Sequence, residues 1–136
     1  MLRGQIRVSV LPSAGKRRAR IPDASGQQEI QKNERKVCCL SQQPSGNVRS
    51  KGEEDAKPVI LLHGNGGEHD HLSVMVDQLD SAGYLVYALD SRGQGANAPL
   101  EEYHYADMAE DVYALIQELD LEQPALVGWS DGGSIA

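Results

Sequence analysis

The six residues Gly-Trp-Ser-Asp-Gly-Gly at positions 128–133 constrain the fold of this chain more than any other stretch. They contain the pattern G-x-S-x-G, in which a strand ends in a tight turn, a helix begins, and a serine hydroxyl is presented at the top of a sheet. Glycine suits both ends of this turn because a Cβ there would collide with the neighbouring strand or helix. Gly128 and Gly132 therefore predict a strand–turn–helix unit with Ser130 at its tip.

Three short apolar runs predict buried strands, at residues 58–62, 84–89 and 124–128. The first run is followed at once by His63 and the glycine-rich turn 64–67. A turn of this kind exposes backbone N–H groups, which can hold an anion or an oxyanion.

Two segments carry apolar residues at helical spacing and predict helices at 70–82 and 104–120. Gly83 follows the first segment and is expected to end that helix. Strands that alternate with helices through short turns imply an α/β fold with a parallel sheet.

Taken together, these motifs resemble the α/β-hydrolase family. The resemblance covers about residues 57–136 and rests on the order of elements: the strand and turn through 63–67, the strand with Asp-Ser-Arg-Gly-Gln-Gly at 90–95, and the serine turn. The Gly-Trp-Ser-Asp-Gly-Gly form is similar to the esterase and C–C hydrolase branches, whereas the dehalogenase and epoxide-hydrolase branches place an Asp at the serine position. Many members carry a histidine where this chain has Gln94.

The resemblance implies a partial α/β-hydrolase fold, with a three-stranded parallel sheet in the spatial order second–first–third and flanking helices. It makes Ser130 the nucleophile and the N–H of Asp131 one oxyanion donor. Asn65 is the first choice for a second donor and Gly66 the second choice. Trp129 is expected to shape an acyl pocket, or else to fill the core.

A nucleophilic serine needs a base and an acid that orients the base. In the resembled family both follow the serine, but the chain ends at Ala136. We therefore expect a serine hydrolase acting on an ester, thioester or amide through a Ser130 acyl-enzyme, inactive as this truncated chain. The alternative is a catalytically dead fragment or incomplete gene product with at most a binding role. His63 is expected to fix its loop, and His104 is the one candidate base at a position foreign to the family.

Charge divides the chain near Lys57. Residues 1–57 carry 12 Lys and Arg against 6 Asp and Glu, whereas residues 58–136 carry one basic residue against 14 acidic ones. The first 56 residues are polar and are predicted to form a disordered basic tail that packs little against the sheet, apart from a short strand near 6–11. The strand at 124–128 is then expected to be an exposed, aggregation-prone edge that leaves the chain poorly folded.

The remaining features set expectations about partners. The acidic body should not bind nucleic acid, and the basic cluster at 16–20 is either a targeting or nucleic-acid signal or a solvated tail. His-Asp-His at 69–71 has a spacing seen in metal sites, but no further ligand set accompanies it. The chain lacks an 18-residue apolar run and a secretory signal. We expect a cytoplasmic protein with a small-molecule substrate, no cofactor, no metal ion and no membrane contact; the oligomeric state is left open.

Overall fold

The computed structural model describes residues 6–10 and 48–136, which form a single mixed sheet with helices on both faces. In chain order the strands are β1 (Ile6–Val10), β2 (Val48–Lys51), β3 (Lys57–Leu62), β4 (Tyr84–Leu89) and β5 (Ala125–Trp129). The helices are α1 (Ser73–Ser81), entered through a 3-10 turn at His69–Leu72, α2 (Tyr105–Glu118) and α3 (Gly132–Ile135).

The strand order across the sheet is β1-β5-β3-β4-β2. The central strand β3 pairs in parallel with β4 on one side and with β5 on the other. The three predicted parallel strands and their spatial order are therefore confirmed, as are the two predicted helices. Gly83 ends the first helical segment with a φ of +84°, which a glycine adopts without strain.

Alternate residues of β3 face opposite sides of the sheet, as the period of a strand requires. Val59 and Leu61 pack in a cluster with Leu72 and Val76 of the first helical segment. Ile60 and Leu62 pack on the other face, in a cluster to which α2 and α3 contribute the following residues: Met108, Val112, Leu115, Ile116 and Ile135. Both faces of β3 are buried, which explains why its sequence is apolar without alternation.

The sheet has five strands rather than the three predicted, because two antiparallel strands from the first 56 residues join its edges. β1 lies along β5, and β2 lies along β4. The expectation that β5 is an exposed edge was therefore wrong, and within the tail predicted to be disordered Val48–Lys51 forms a strand instead. Residues 1–5 and 11–47, which include the basic cluster at 16–20, lie outside the described residues.

Ion pairs join β2 to the first helical segment. The Nζ of Lys51 lies 2.8 Å from Asp77 Oδ1 and 3.2 Å from Asp80 Oδ2, and Arg49 lies 3.2 Å from Asp70. The hydrogen bond from Lys51 lowers the pKa of Asp77, and the bonds to Asp77 and Asp80 raise the pKa of Lys51. The basic residues of β2, which belong to the basic first part of the chain, thus pair with acidic residues of the second part.

The carboxyl ends of the three parallel strands meet at one edge of the sheet, since Leu62 of β3 is in register with Leu89 of β4 and with Gly128 of β5. The turns after these strands are therefore neighbours, and ligands bind at this edge in open α/β sheets. No helix in the described ranges is long and apolar enough to cross a membrane.

Candidate active site

Ser130 lies at the tip of a sharp turn between β5 and α3. Its φ is +53°, a left-handed conformation that costs a residue with a side chain about 1–2 kcal/mol. A Cβ added to Gly128 would overlap the backbone of Gly132 and Gly133, and a Cβ added to Gly132 would overlap the carbonyl of Leu62. The glycines predicted from the sequence thus allow the strand, turn and helix to touch, and the turn leaves Ser130 exposed.

The glycine-rich turn after β3 lies directly against the serine turn. A Cβ added to Gly64 would lie 3.2 Å from the Cβ of Ser130 and 3.2 Å from Cδ1 of Trp129. The absence of a side chain at Gly64 lets the two turns approach this closely. The structure therefore brings the turn containing Asn65 and Gly66 beside Trp129, Ser130 and Asp131.

Four of the five backbone N–H groups of residues 65–69 are occupied. Among the described residues, no acceptor bonds the N–H of Asn65. The next four N–H groups each donate to an acceptor: Gly66 to Gln94 Oε1 (2.7 Å), Gly67 to the Gly64 carbonyl (3.0 Å), Glu68 to His71 Nδ1 (3.3 Å) and His69 to Asp90 Oδ1 (2.6 Å). Asn65 therefore presents the free N–H of this run, whereas the N–H of Gly66 is engaged.

A second free N–H lies on the other side of Ser130. Asp131 precedes the first residue of α3, and within the described residues its N–H has no acceptor. The N–H groups of Gly133 and Ser134 donate back to the carbonyls of Ser130 (2.9 Å) and Asp131 (2.8 Å). The two turns thus present the unpaired N–H groups of Asn65 and Asp131 at the same sheet edge.

Trp129 is the last residue of β5, and 46% of its surface is exposed. Its indole lies beside Gly64, next to the serine turn. The structure therefore places this side chain at the surface rather than among the core residues.

His63 is a buried structural residue. Its Nε2 accepts the N–H of Ser91 at 3.0 Å, so its Nδ1 carries the proton and donates to the Gly64 carbonyl at 2.7 Å. Both ring nitrogens are therefore used, and the neutral imidazole joins the turn after β3 to the turn after β4. This is the role expected from the sequence.

His69 is also held by a partner. Its Nδ1 lies 2.8 Å from the buried carboxylate of Asp90, which also accepts the N–H of Ala96 at 3.1 Å. His71 is occupied as an acceptor for Glu68. Within residues 6–10 and 48–136, no three His, Cys, Asp or Glu side chains are grouped as metal ligands.

Two residues of α2 pair with residues that follow β4 and β5. Arg92 makes two 2.7 Å hydrogen bonds to the carboxylate of Asp111, which raise the pKa of Arg92. At the start of α2, a hydrogen bond to the Asp131 carboxylate raises the pKa of the Tyr105 phenol. His104, the candidate base at a position foreign to the family, lies 3.5 Å from Glu102.

Three contacts at this edge are missing from the sequence-based prediction. They are the hydrogen bond of Gln94 to Gly66, the contact of Tyr105 with Asp131 and the pairing of His69 with Asp90. Each joins positions at least 21 residues apart, so spacing within a motif carries no sign of them. The one available signal was the departure from the common family residue at Gln94.

The comparisons with known proteins bear on the fold and the family. The family model of the alpha/beta hydrolase fold matches residues 57–136. The AB hydrolase superfamily protein YisY of Bacillus subtilis is 40% identical over 81 residues, and the non-heme chloroperoxidase of Burkholderia pyrrocinia is 34% identical over 83. The solved structure of a marine microorganism esterase superposes with a TM-score of 0.54 at 31% identity.

The matched region is a limited part of each relative. The match covers 59% of this chain for YisY, 60% for the chloroperoxidase and 59% for the marine esterase. In each case it covers 30% of the relative. The chain thus spans about 30% of the length of the curated relatives that it matches. Esterases, epoxide hydrolases and non-heme chloroperoxidases are all represented among the similar proteins. Because the family model covers more than half of the chain, including both turns of the site, the chain belongs to the alpha/beta hydrolase fold family.

Proposed function

We propose that this chain carries the nucleophile and the oxyanion-binding half of a serine hydrolase that acts on a small ester, thioester or amide. The observation that carries the proposal is the exposed Ser130, held at a φ of +53° beside the free N–H of Asn65. Strain of this kind persists where the surrounding structure enforces it and is concentrated at functional sites.

The mechanism assigns one task to each group. Ser130 Oγ attacks the carbonyl carbon and loses its proton to a base. The N–H groups of Asn65 and Asp131 stabilise the resulting oxyanion, which then collapses, expels the alcohol, thiol or amine and leaves an acyl-enzyme. Water completes the cycle by releasing the acid. Gly66 is not used as a donor, since its N–H is bound to Gln94.

A serine at the tip of the turn favours acyl transfer over epoxide hydrolysis. Epoxide hydrolases are among the solved structures that this chain matches, but the family resemblance places an Asp at the nucleophile position in that branch. Trp129, exposed beside the turn, is proposed to form one wall of the acyl pocket.

A second candidate is a chain that binds small molecules without turning them over. It is favoured by the histidines of the described residues, since His63, His69 and His71 are engaged with backbone or carboxylate partners and His104 lies beside Glu102. Among the described residues, then, no histidine contacts Ser130. The base and acid of the active enzyme are proposed to come from sequence other than the matched region. The cytoplasmic location stays a prediction.

The test is covalent labelling of Ser130 by a fluorophosphonate probe, located by peptide mass spectrometry. It compares the 136-residue chain with any longer product of the same reading frame. We expect labelling and p-nitrophenyl ester hydrolysis in the longer product, lost in Ser130→Ala and kept in the matched control Ser134→Ala. Labelling of the 136-residue chain itself would place a base within it, with His104 the first to mutate. Absence of labelling in both forms would overturn the proposal in favour of the binding role.

A further inference from the structure

Gln94 reaches across the edge of the sheet to the glycine-rich turn. Its side-chain Oε1 accepts the N–H of Gly66 at 2.7 Å, although the two residues are 28 positions apart. The length of this bond is at the short end of the range for an N–H donor and a neutral oxygen acceptor. The mechanism proposed for Ser130 gives Gln94 no role in the reaction itself.

The turn at Gly66 has little else to hold it. A Cβ added to Gly66 would meet no atom within 4 Å, and the backbone there has a φ of +68°. The side of Gly66 that a Cβ would occupy is therefore open, and hydrogen bonds are the contacts that orient this peptide. The two that act on the tip of the turn are the bond to Gln94 and the bond from the Gly67 N–H to the Gly64 carbonyl.

The backbone of Gln94 is held in a hydrogen-bonded turn. Its N–H donates to the Ser91 carbonyl at 3.0 Å, and its own carbonyl accepts the N–H of Asn97 at 3.1 Å. The Asn97 side chain in turn donates to the carbonyls of Asp90 and Ser91. Because the turn that carries Gln94 is fixed by these hydrogen bonds, the Gln94 side chain can hold the less constrained peptide at Gly66 in place.

The geometry points to Gln94 as a positioning residue that holds the Asn65–Gly66 peptide in place by occupying the Gly66 N–H. The consequence is selective. With the N–H groups of Gly66 and Gly67 both engaged, Asn65 is the one residue of 65–67 whose N–H stays available beside Ser130. This inference rests on the proposed function for its catalytic consequence, but not for the hydrogen bond itself.

The first measurement is the exchange rate of the Gly66 amide proton, followed by NMR in the 136-residue chain. Gln94→Met removes the acceptor at similar volume and should speed this exchange roughly fivefold to tenfold. Gln94→Glu keeps an acceptor oxygen and should leave the exchange slow, as should the matched control Gln117→Met on the exposed face of α2. Amides of β3 and β4 should keep their wild-type rates, which shows that the variants are folded. An unchanged Gly66 rate in Gln94→Met would overturn the inference.

The second measurement is the reaction of Ser130, made in the form of the protein that the fluorophosphonate probe labels. Gln94→Met should slow labelling about tenfold and lower kcat for a p-nitrophenyl ester while KM stays near its wild-type value, because oxyanion contacts form in the transition state. Wild-type labelling in Gln94→Met would remove the catalytic consequence. If no form of the protein is labelled, the proposed function fails, while the Gly66 exchange rate still decides whether Gln94 holds the turn.

Discussion

Ser130 occupies a conformation that glycine would adopt at lower cost. A glycine there would relieve the strain but would carry no hydroxyl, so the strain is tied to the exposed side chain. Two further residues of the described chain with side chains and positive φ, Asp120 and Gln123, lie in the connection between α2 and β5, away from the site. Positive φ alone therefore does not identify a functional residue. At Ser130 the contact with Gly64 supplies the second observation.

Tyr105 and Asp131 offer a prediction about pH. The hydrogen bond to the Asp131 carboxylate, and then the charge of that carboxylate, raise the pKa of the Tyr105 phenol above its ordinary value of about 10. Because the folded-state pKa is the higher one, the contact stabilises the fold below pH 10. That contribution is lost as the pH rises through the raised pKa. We expect Asp131→Asn to lower the pKa of Tyr105 towards 10, as followed by NMR of a ring-labelled tyrosine.

The matched control for this titration is Asp107→Asn. Asp107 lies in the first turn of the same helix but pairs with Arg92, at 3.3 Å. The change should leave the Tyr105 pKa close to its wild-type value, and Tyr105→Phe identifies the resonance. An equal fall in both aspartate variants would mean that the general acidity of the surface, rather than Asp131, raises the pKa.

For single residues, the sequence predicts those whose role depends on the geometry of the local backbone. The placement of Ser130, Gly128 and Gly132 follows from one pattern, since each is needed within a single turn. Gln94 could not be assigned in this way. Its partner, Gly66, is fixed only when the ends of β3 and β4 are aligned, and a glutamine in a polar turn is otherwise indistinguishable from a solvated one.

The strands differ in how far their sequences predict them. β3, β4 and β5 are apolar because both faces of the sheet are covered, and that pattern is visible without a structure. β2 is four residues long and contains Arg49 and Lys51, which read as part of a polar tail. Its position depends on pairing with β4 and on acidic side chains near and within α1, neither of which is local information.

The contact between β5 and α3 yields a prediction about two glycines. Gly128→Ala would drive its Cβ into the backbone of α3, and we expect it to cost about 3 kcal/mol or more. Gly66→Ala meets open space and suffers only from its positive φ, which costs about 1–2 kcal/mol. Urea unfolding of both variants measures the difference. Equal losses would show that α3 does not pack against Gly128 as closely as described.

At the scale of the described molecule, two strands from the first 56 residues join the acidic body in one sheet. β1 and β2 occupy its two edges, and Val48 of β2 is buried in the larger core cluster. The sequence-based division at residue 57 follows composition and the extent of the family match, whereas the sheet extends across it. Edge strands carry unpaired backbone groups that promote aggregation when they are apolar. The polar β2 covers the apolar β4, and β1 covers β5.

The last prediction concerns a chain reduced to residues 57–136. Removing β1 and β2 would leave β4 and β5 as exposed apolar edges, and would lose the burial of Val48, worth about 2 kcal/mol. We expect a lower urea midpoint than that of the 136-residue chain, and association that increases with concentration in light scattering. The control lacks residues 1–4 only, keeps both edge strands, and should match the whole chain in both measurements. If residues 57–136 unfold at the midpoint of the whole chain and stay monomeric, the edge strands contribute nothing to the fold, and the family-matched segment is the complete folding unit.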